Sequence, residues 1–487
     1  MSLRQAAVEG IVWTAAQTWG TRAITFLVTL TLARLVLPEA FGLMAYAIVF
    51  IAFAQIFVEQ GFGDAIVQCP KLEREHLDTA FWMNLLAGAL LTAVGIVASG
   101  PIAQLFREPK LAPIVSWLSL SFITSALTTV QQSLLRRQLA FKTLGVRSLA
   151  VTIVSGLVAV SMAFLGCGVW SLVAKQLVSG LASVILLWQV SDWRPGFRFS
   201  TRHFKELFSF GINILGGNLV DFFSLHADDF LIGYFLGSIV LGYYSLAYNL
   251  LIVMTDLLVG VPIAVVFPVF SRLQSERIRI KESFYQVTRL QSAVAFPIFL
   301  GLSVTAPEVV ISLYGQKWEP SIAVVQVLML MGIVRSAVYF YSSVFKAGGK
   351  PSWRFGIWSL AASLDVIGFA LVVRRGIVAV AAVYVFIGYM LLPLYFLMIR
   401  SLIHVSVRTH LKQYVPALCS SLAMVVILLS LKYILGDNLG LPVRLFILVL
   451  VGALTYLSVL HLIQPSLYKQ MLDLARLALP RWRSREV

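Results

Sequence analysis

The chain has 487 residues, 59% of them hydrophobic, with a mean hydropathy of +0.88. Those values exclude an ordinary soluble domain. The net charge of +16 does not imply nucleic acid, because Lys and Arg are spread over many short segments rather than gathered on one module.

Fourteen apolar stretches follow in order: 11–33, 41–63, 80–100, 114–134, 146–166, 169–190, 208–236, 241–267, 290–312, 321–343, 354–373, 377–399, 413–434 and 442–463. Each is near the roughly 20 helical residues that a bilayer core requires. With the N-terminus placed inside, 27 of the 38 Lys and Arg fall in inside segments and 8 in outside ones. Charges at span ends are counted with the adjoining segment, and Arg22, Lys175 and Arg335 remain in the interior of spans. This positive-inside bias predicts an all-α membrane protein with both termini cytoplasmic. Attraction to anionic headgroups accounts for the charge. The first stretch is too long for a cleavable signal and carries Arg22, so it reads as a retained span.

The loops are short, and the basic segment 191–207, "SDWRPGFRFSTRHFKEL", lies near the middle of the first twelve spans. It predicts a cytoplasmic linker along the membrane surface, between an N-terminal lobe at 1–190 and a C-terminal lobe at 208–400. Residues 401–464 then supply two further spans, and 465–487 form a basic cytoplasmic tail. Segments 33–47 and 233–247 align without gaps at an offset of 200, with Gly42 opposite Gly242. Residue identity there is near chance, so the repeat rests on architecture. Six spans per lobe predict pseudo-twofold symmetry about the membrane normal, with a cavity between lobes.

Cys69, Cys167 and Cys419 lie far apart, so neither a disulfide framework nor a metal site is indicated. No P-loop, nucleophile elbow or zinc pattern occurs. The chain is therefore expected not to be an enzyme and to need no cofactor, and uphill transport would draw on an H+ or Na+ gradient or on consumption of product outside.

Five segments carry a resemblance: "ARLVLPEAFGLMAYA" (33–47), "LLRRQLAFKTL" (134–144), "DDFLIGYFLGSIVLGYYSLAYNL" (228–250), "VVFPVFSRLQ" (265–274) and "LYGQKWEPSIAVVQVLML" (313–330). In their order and spacing the chain resembles polysaccharide-repeat-unit flippases of the Wzx (WzxC-like) type, within the multidrug/oligosaccharidyl-lipid/polysaccharide exporter superfamily. The last two spans carry no matching motif. The resemblance implies a bacterial inner-membrane protein whose two lobes rock between inward- and outward-open states. It implies movement of undecaprenyl-diphosphate-linked oligosaccharide to the outer leaflet, for lipopolysaccharide or exopolysaccharide assembly beside a polymerase machinery.

A charge near the bilayer centre costs roughly 2.5–3.5 kcal/mol on insertion scales, so intramembrane charges mark site candidates. Arg22, between Gln17 and Thr25, offers the paired donors that a diphosphate accepts; its alternative is a structural ion pair. Arg335 is a second candidate contact, or snorkels inward, and Lys175 is a third with the same alternative. The seventh span is the least apolar and should line the cavity: Asn213, Asn218, Asp221, His226, Asp228 and Asp229 lie in it. Asp221, His226 and Asp229 are candidates for coupling, with a satisfied interior His as the alternative for His226. Asp256, ahead of Pro262 and Pro268, suits a moving gate. Asp365 is a candidate partner for Arg335, and Glu59 for a cytoplasmic-gate ion pair. Arg136, Arg137 and Lys142, like the basic loop 271–281, read as topology-setting charge or as capture of an anionic headgroup. Most Trp residues read as an interfacial belt, with Trp13 and Trp19 as candidate sugar contacts.

The same architecture would serve an exporter of drugs or of the peptidoglycan precursor lipid. A membrane-embedded glycan polymerase would need an outside catalytic region, which the short outside loops do not provide.

Overall fold

The structure, a computed structural model, describes residues 3–260, 277–436 and 439–478. Pro262, Pro268, the 265–274 motif and most of the basic loop 271–281 lie outside them. The described residues are mostly helical and contain no strand. Twelve of the helices are long and apolar enough to cross a membrane. The protein is a multi-pass membrane protein.

The elements in chain order are α1 (Leu3–Leu35), α2 (Pro38–Glu59), α3 (Phe62–Gln68), α4 (Arg74–Leu105), α5 (Leu111–Ser119), α6 (Ser121–Arg137), α7 (Phe141–Phe164), α8 (Val169–Val190), α9 (Thr201–Leu236) and α10 (Ser238–Thr255). After the undescribed segment come α11 (Arg277–Val304), α12 (Ala306–Tyr314), α13 (Ile322–Val338), α14 (Tyr341–Ala347), α15 (Pro351–Val372), α16 (Ile377–Ile403), α17 (Val407–Leu435), α18 (Leu441–Ile463) and α19 (Pro465–Ala478). Several helices outrun the apolar stretches that mark them, because polar turns extend their ends. Thus α4 starts at a capping box, in which the Glu73 side chain accepts from the backbone of His76 and the His76 ring accepts from the Glu73 backbone. The stretch 290–312 is broken between α11 and α12, where Pro307 sits in the first turn of the new helix.

By contacts the chain forms two compact units, one of residues 1–249 with 355–387, the other of 250–354 with 388–487. In the first, α1 packs along α7, α4 against α5 and α6, and α2 against α9. Segment 191–200 is pinned to the start of α4. The Trp82 indole donates to the Gly196 carbonyl at 2.8 Å, and Asp78 accepts from the Gly196 amide at 3.0 Å. Beneath it Phe62, Ile66, Phe81, Val130 and Leu207 form a buried cluster.

The starts of α2 and α10 cross at Gly42 and Gly242, the two glycines that the offset of 200 pairs. A Cβ on Gly42 would collide with the Ser238 carbonyl, and one on Gly242 with the Pro38 carbonyl. Glycine is required here by close backbone approach rather than by φ. Polar side chains seal the crossing. Tyr46 donates to the Gly233 carbonyl at 2.7 Å, and Ser238 to Glu108 at 2.6 Å.

In the second unit α11 packs against α13 and α17, and α17 against α18. The two C-terminal helices, expected as an addition to the lobes, are part of this core. Phe296, Tyr414, Met424, Leu428, Leu448 and Leu460 form one buried cluster. The end of α10 widens into a π-helical turn, Asp256–Gly260, and Gln291 of α11 donates to its Leu258 carbonyl at 3.1 Å.

Gly42→Val and Gly242→Val are each expected to lower the melting temperature of the purified protein, since overpacking costs about 1–3 kcal/mol. Gly216→Ala, where a Cβ meets nothing within 4 Å, serves as the control and should leave it nearly unchanged in a thermal-unfolding assay.

Candidate functional site

The first unit holds a cavity of about 450 Å³ between α2, α5, α6 and α8. Its size falls within the roughly 300–1,000 Å³ of ligand pockets. One wall, from α2, is Met44, Ile48 and Ile51 followed by Gln55 and Glu59. The facing walls are mostly polar: Ser121, Thr124, Ser125 and Thr128 from α6, and Gln176, Ser179 and Ser183 from α8. A second cavity of about 210 Å³ shares Glu59, Ser125 and Thr128 with the first and reaches Asp64, Arg136 and Asn218.

Helical spacing builds these walls. Positions 121, 124, 125 and 128 lie at three- and four-residue intervals on one face of α6, as do 176, 179, 180 and 183 on α8. Gly180 lets the helices approach, since a Cβ there would press on the Thr124 hydroxyl at 2.5 Å. Glu59 ends α2. It accepts from Gln55 at 3.3 Å and makes no ion pair within its unit among the described residues.

Of the two adjacent arginines at the end of α6, Arg137 is consumed structurally. Its guanidinium donates to the carbonyls of Ile66, Val67, Cys69 and Pro70, closing the end of α3. Arg136 instead faces the smaller cavity. The sequence offered no way to separate the two.

The other candidates lie elsewhere. Gln17 and Arg22 are half-buried on α1, with Gln17 lying over Gly145 of α7. Lys175 is half-buried on α8, next in sequence to Gln176 of the cavity wall. On α9, Asp221 is half-buried, and the His226 ring lies 3.6 Å from Asp229. The neighbouring Asp228 is buried and held by the Tyr244 hydroxyl at 2.7 Å and by the Asp229 amide at 2.9 Å. Asp365 is buried on α15 in the same unit. Arg335 on α13 and Asp256 at the π-helical turn belong to the second unit, both half-buried.

Sequence reasoning missed a buried ion triad in the second unit. Glu308 of α12 is 1% exposed, with Lys432 of α17 at 3.0 Å and Arg444 of α18 at 3.1 Å. Lys432 also donates to the Val304 carbonyl, and Arg444 to that of Gly436. The only sequence signal was a lone carboxylate in an apolar run, opposite two cations that read as loop charge.

At the start of α4 and α9, His76 lies 3.2 Å from Glu206, and His203 lies 3.3 Å from Glu73. Glu73, His76 and His203 are close enough together to hold a metal ion. However, His76 Nδ1 accepts from the Glu73 amide, which leaves Nε2 carrying the proton of the neutral ring. That nitrogen is then a donor to Glu206 rather than a metal ligand.

A family model described as "Polysaccharide biosynthesis protein" matches residues 31–323. The chain belongs to the polysaccharide biosynthesis protein family. Its relatives include the teichuronic acid biosynthesis protein TuaB of Bacillus subtilis (strain 168), 29% identical over 436 residues, with 88% of this chain and 89% of that one covered. The lipopolysaccharide biosynthesis protein WzxC of Escherichia coli (strain K12) is 25% identical over 446 residues, covering 90% and 89%. The Wzx-type resemblance read from the motifs is thus borne out. Among solved structures, a lipid II flippase MurJ in an inward closed conformation superposes with a TM-score of 0.76 at 15% identity, covering 95% of this chain and all of that one. An inward-facing MATE family transporter of the MOP superfamily gives 0.62 at 14% identity, covering 80% and 98%. At such identities the structures establish the fold that this family member shares.

Two outcomes test the site's surroundings. Removing one partner from a buried ion group costs about 3–5 kcal/mol, so Glu308→Gln should sharply lower the melting temperature, while Glu39→Gln, which breaks an exposed pair with Lys110, should not. The Glu206 carboxyl is held below its ordinary value by the hydrogen bonds from Arg202 and His76. Its stabilising contribution is therefore complete above about pH 4.3 and is lost as the pH falls further. Glu206→Gln should remove that acid step from a melting-temperature profile taken between pH 3 and 6.

Proposed function

We propose that the protein is a flippase that moves undecaprenyl-diphosphate-linked oligosaccharide from the inner to the outer leaflet by alternating access, for surface polysaccharide biosynthesis. The observation that carries this reading is the polar cavity of the first unit, walled by hydroxyls, amides and Glu59 inside an apolar helical bundle. Polar surface in such a bundle is costly unless water or a polar cargo satisfies it. Family membership supports the cargo class, since TuaB and WzxC are named for teichuronic acid and lipopolysaccharide biosynthesis. The MurJ and MATE neighbours support a transporter fold with no catalytic step.

In this reading α1 and α9 are the two remaining spans, which brings the count to fourteen. Their 33 and 36 residues exceed what a bilayer requires, and each carries polar and charged residues along its length. Two lobes, 1–190 and 208–400, joined by the 191–207 linker, would rock about the cargo. Residues 401–464 complete the bundle, the basic tail is cytoplasmic, and both termini lie inside, in a bacterial inner membrane. Arg22 and Arg335 are each proposed as a contact for the diphosphate, and Gln17 and Lys175 as further substrate-binding residues. An H+ or Na+ gradient would act through Asp221, Asp229 with His226, Asp256 and Asp365. A polysaccharide polymerase would consume the product.

In proteoliposomes, the paired substitution Arg22→Gln with Arg335→Gln is expected to lower the rate of lipid-linked oligosaccharide translocation by about 100-fold, the loss of two charge-assisted contacts. The protein should keep its yield and elution profile. Translocation at the native rate by the doubly neutralised protein would remove these arginines from the diphosphate site.

A further inference from the structure

Cations at the ends of the helices fare differently in the two units. In the first unit those of segment 191–207 are engaged. Arg194 donates to the carbonyls of Trp188 and Trp193 at 2.8 and 2.9 Å. Arg198 pairs with Glu75 at 3.2 Å, and Arg202 with Glu206 at 3.1 Å. In the second unit Arg400, Arg408 and Lys412 flank the turn between α16 and α17, and all three are exposed. No Asp or Glu occurs from residue 366 to residue 436. None of the three makes an ion pair among the described residues. Arg408 and Lys412, four apart on α17, repel one another. A positive-inside bias accounts for cations at such a turn but not for the lack of counter-ions.

The amphipathic helix α19 lies at the same end of this unit. Leu467 shares a buried cluster with Tyr414, near the start of α17, and Leu460, near the end of α18, and Met471 packs against that cluster. The Tyr468 ring meets His461 edge-on at 4.9 Å. A helix pointing away from the bilayer would carry Met471 about 6 Å beyond Leu467. The shared cluster instead keeps α19 against the bundle, directly after α18 ends at Ile463. On the side turned from the bundle Lys469 and Gln470 are exposed, and Leu472 is 37% exposed. Residues 465–487 hold five Lys and Arg against Asp473 and Glu486. Among the described residues at the start of α11, which packs on α17, Glu282 is the one carboxylate, and Lys281 stands next to it. A basic and apolar helix that starts where a span leaves the bilayer has the composition of an interfacial helix.

We propose that α19 and the turn at 400–412 form a docking surface for anionic phospholipid. The helix lies in the interface with Leu472 at the acyl boundary, and Arg400, Arg408, Lys412 and Lys469 supply the missing neutralisation by binding headgroup phosphates. This surface is separate from the cavity of the first unit and does not depend on what the protein carries.

The test uses full-length protein in phosphatidylcholine bilayers with a trace of spin-labelled phosphatidylglycerol or spin-labelled phosphatidylcholine. Electron paramagnetic resonance reads the ratio of their association constants with the protein. The native protein at low salt is expected to favour phosphatidylglycerol about fivefold or more, and raising the salt to about 0.5 M should lower that ratio. Substituting Arg400→Gln, Arg408→Gln, Lys412→Gln and Lys469→Gln together should bring the ratio to about twofold or less. All four positions are exposed, so thermal unfolding should stay as in the native protein. Arg198→Gln with Arg202→Gln, whose cations are already paired, should leave the ratio within about 1.5-fold of native. Equal association of both lipids with the native protein, or a native ratio in the fourfold variant, would overturn the surface. If undecaprenyl diphosphate displaces the labelled phosphatidylglycerol and an equal amount of unlabelled phosphatidylglycerol does not, these cations serve the cargo and the phospholipid surface falls. Failure of the flippase reading in a translocation assay would leave the ratio unchanged.

Discussion

Hydrocarbon offers no hydrogen bonds, and every other feature of this chain follows from that constraint. Backbone groups must be satisfied within helices, so the apolar spans are helical and no strand occurs among the described residues. Polar side chains must find partners inside the protein or line a space that water and cargo can fill. The Glu308–Lys432–Arg444 triad is the first solution, with three charges closed upon one another. The hydroxyl-walled cavity of the first unit is the second, with hydroxyls and amides lining open space.

These two solutions divide structural from functional polarity. The buried triad joins α12, α17 and α18, and its members are held by one another and by nearby carbonyls. Arg137 behaves likewise, tied to carbonyls at the end of α3. Asp228 is held by Tyr244 and its own helix. Glu59 differs, since its partner is a flexible amide one turn away and it borders two cavities. A carboxylate left available in this way can meet a ligand, whereas a saturated one cannot without unfolding part of its surroundings.

Much of the architecture was legible because hydropathy over about 20 residues is a strong signal. The polar residues of the first and seventh stretches were equally plain, and they lie in the long helices α1 and α9. The pairing of Gly42 with Gly242 was visible as an alignment, but their physical crossing was not, because it depends on how α2 and α10 meet. The cavity was less legible still. Ser121, Thr124, Ser125 and Thr128 are unremarkable singly, since Ser and Thr in membrane helices commonly bond back to their own backbone. Only the convergence of α2, α6 and α8 gives them a common face. Glu308 escaped notice because its partners lie more than 120 residues away.

On the proposed function, this cavity-bearing bundle carries lipid-linked oligosaccharide across the inner membrane. The most direct test is the leaflet distribution of that lipid after deletion of the gene in the native host. Accumulation of the lipid on the cytoplasmic leaflet and loss of the corresponding surface polysaccharide are expected, both reversed by restoring the gene. A normal leaflet distribution with normal surface polysaccharide would contradict it and direct attention to another cargo.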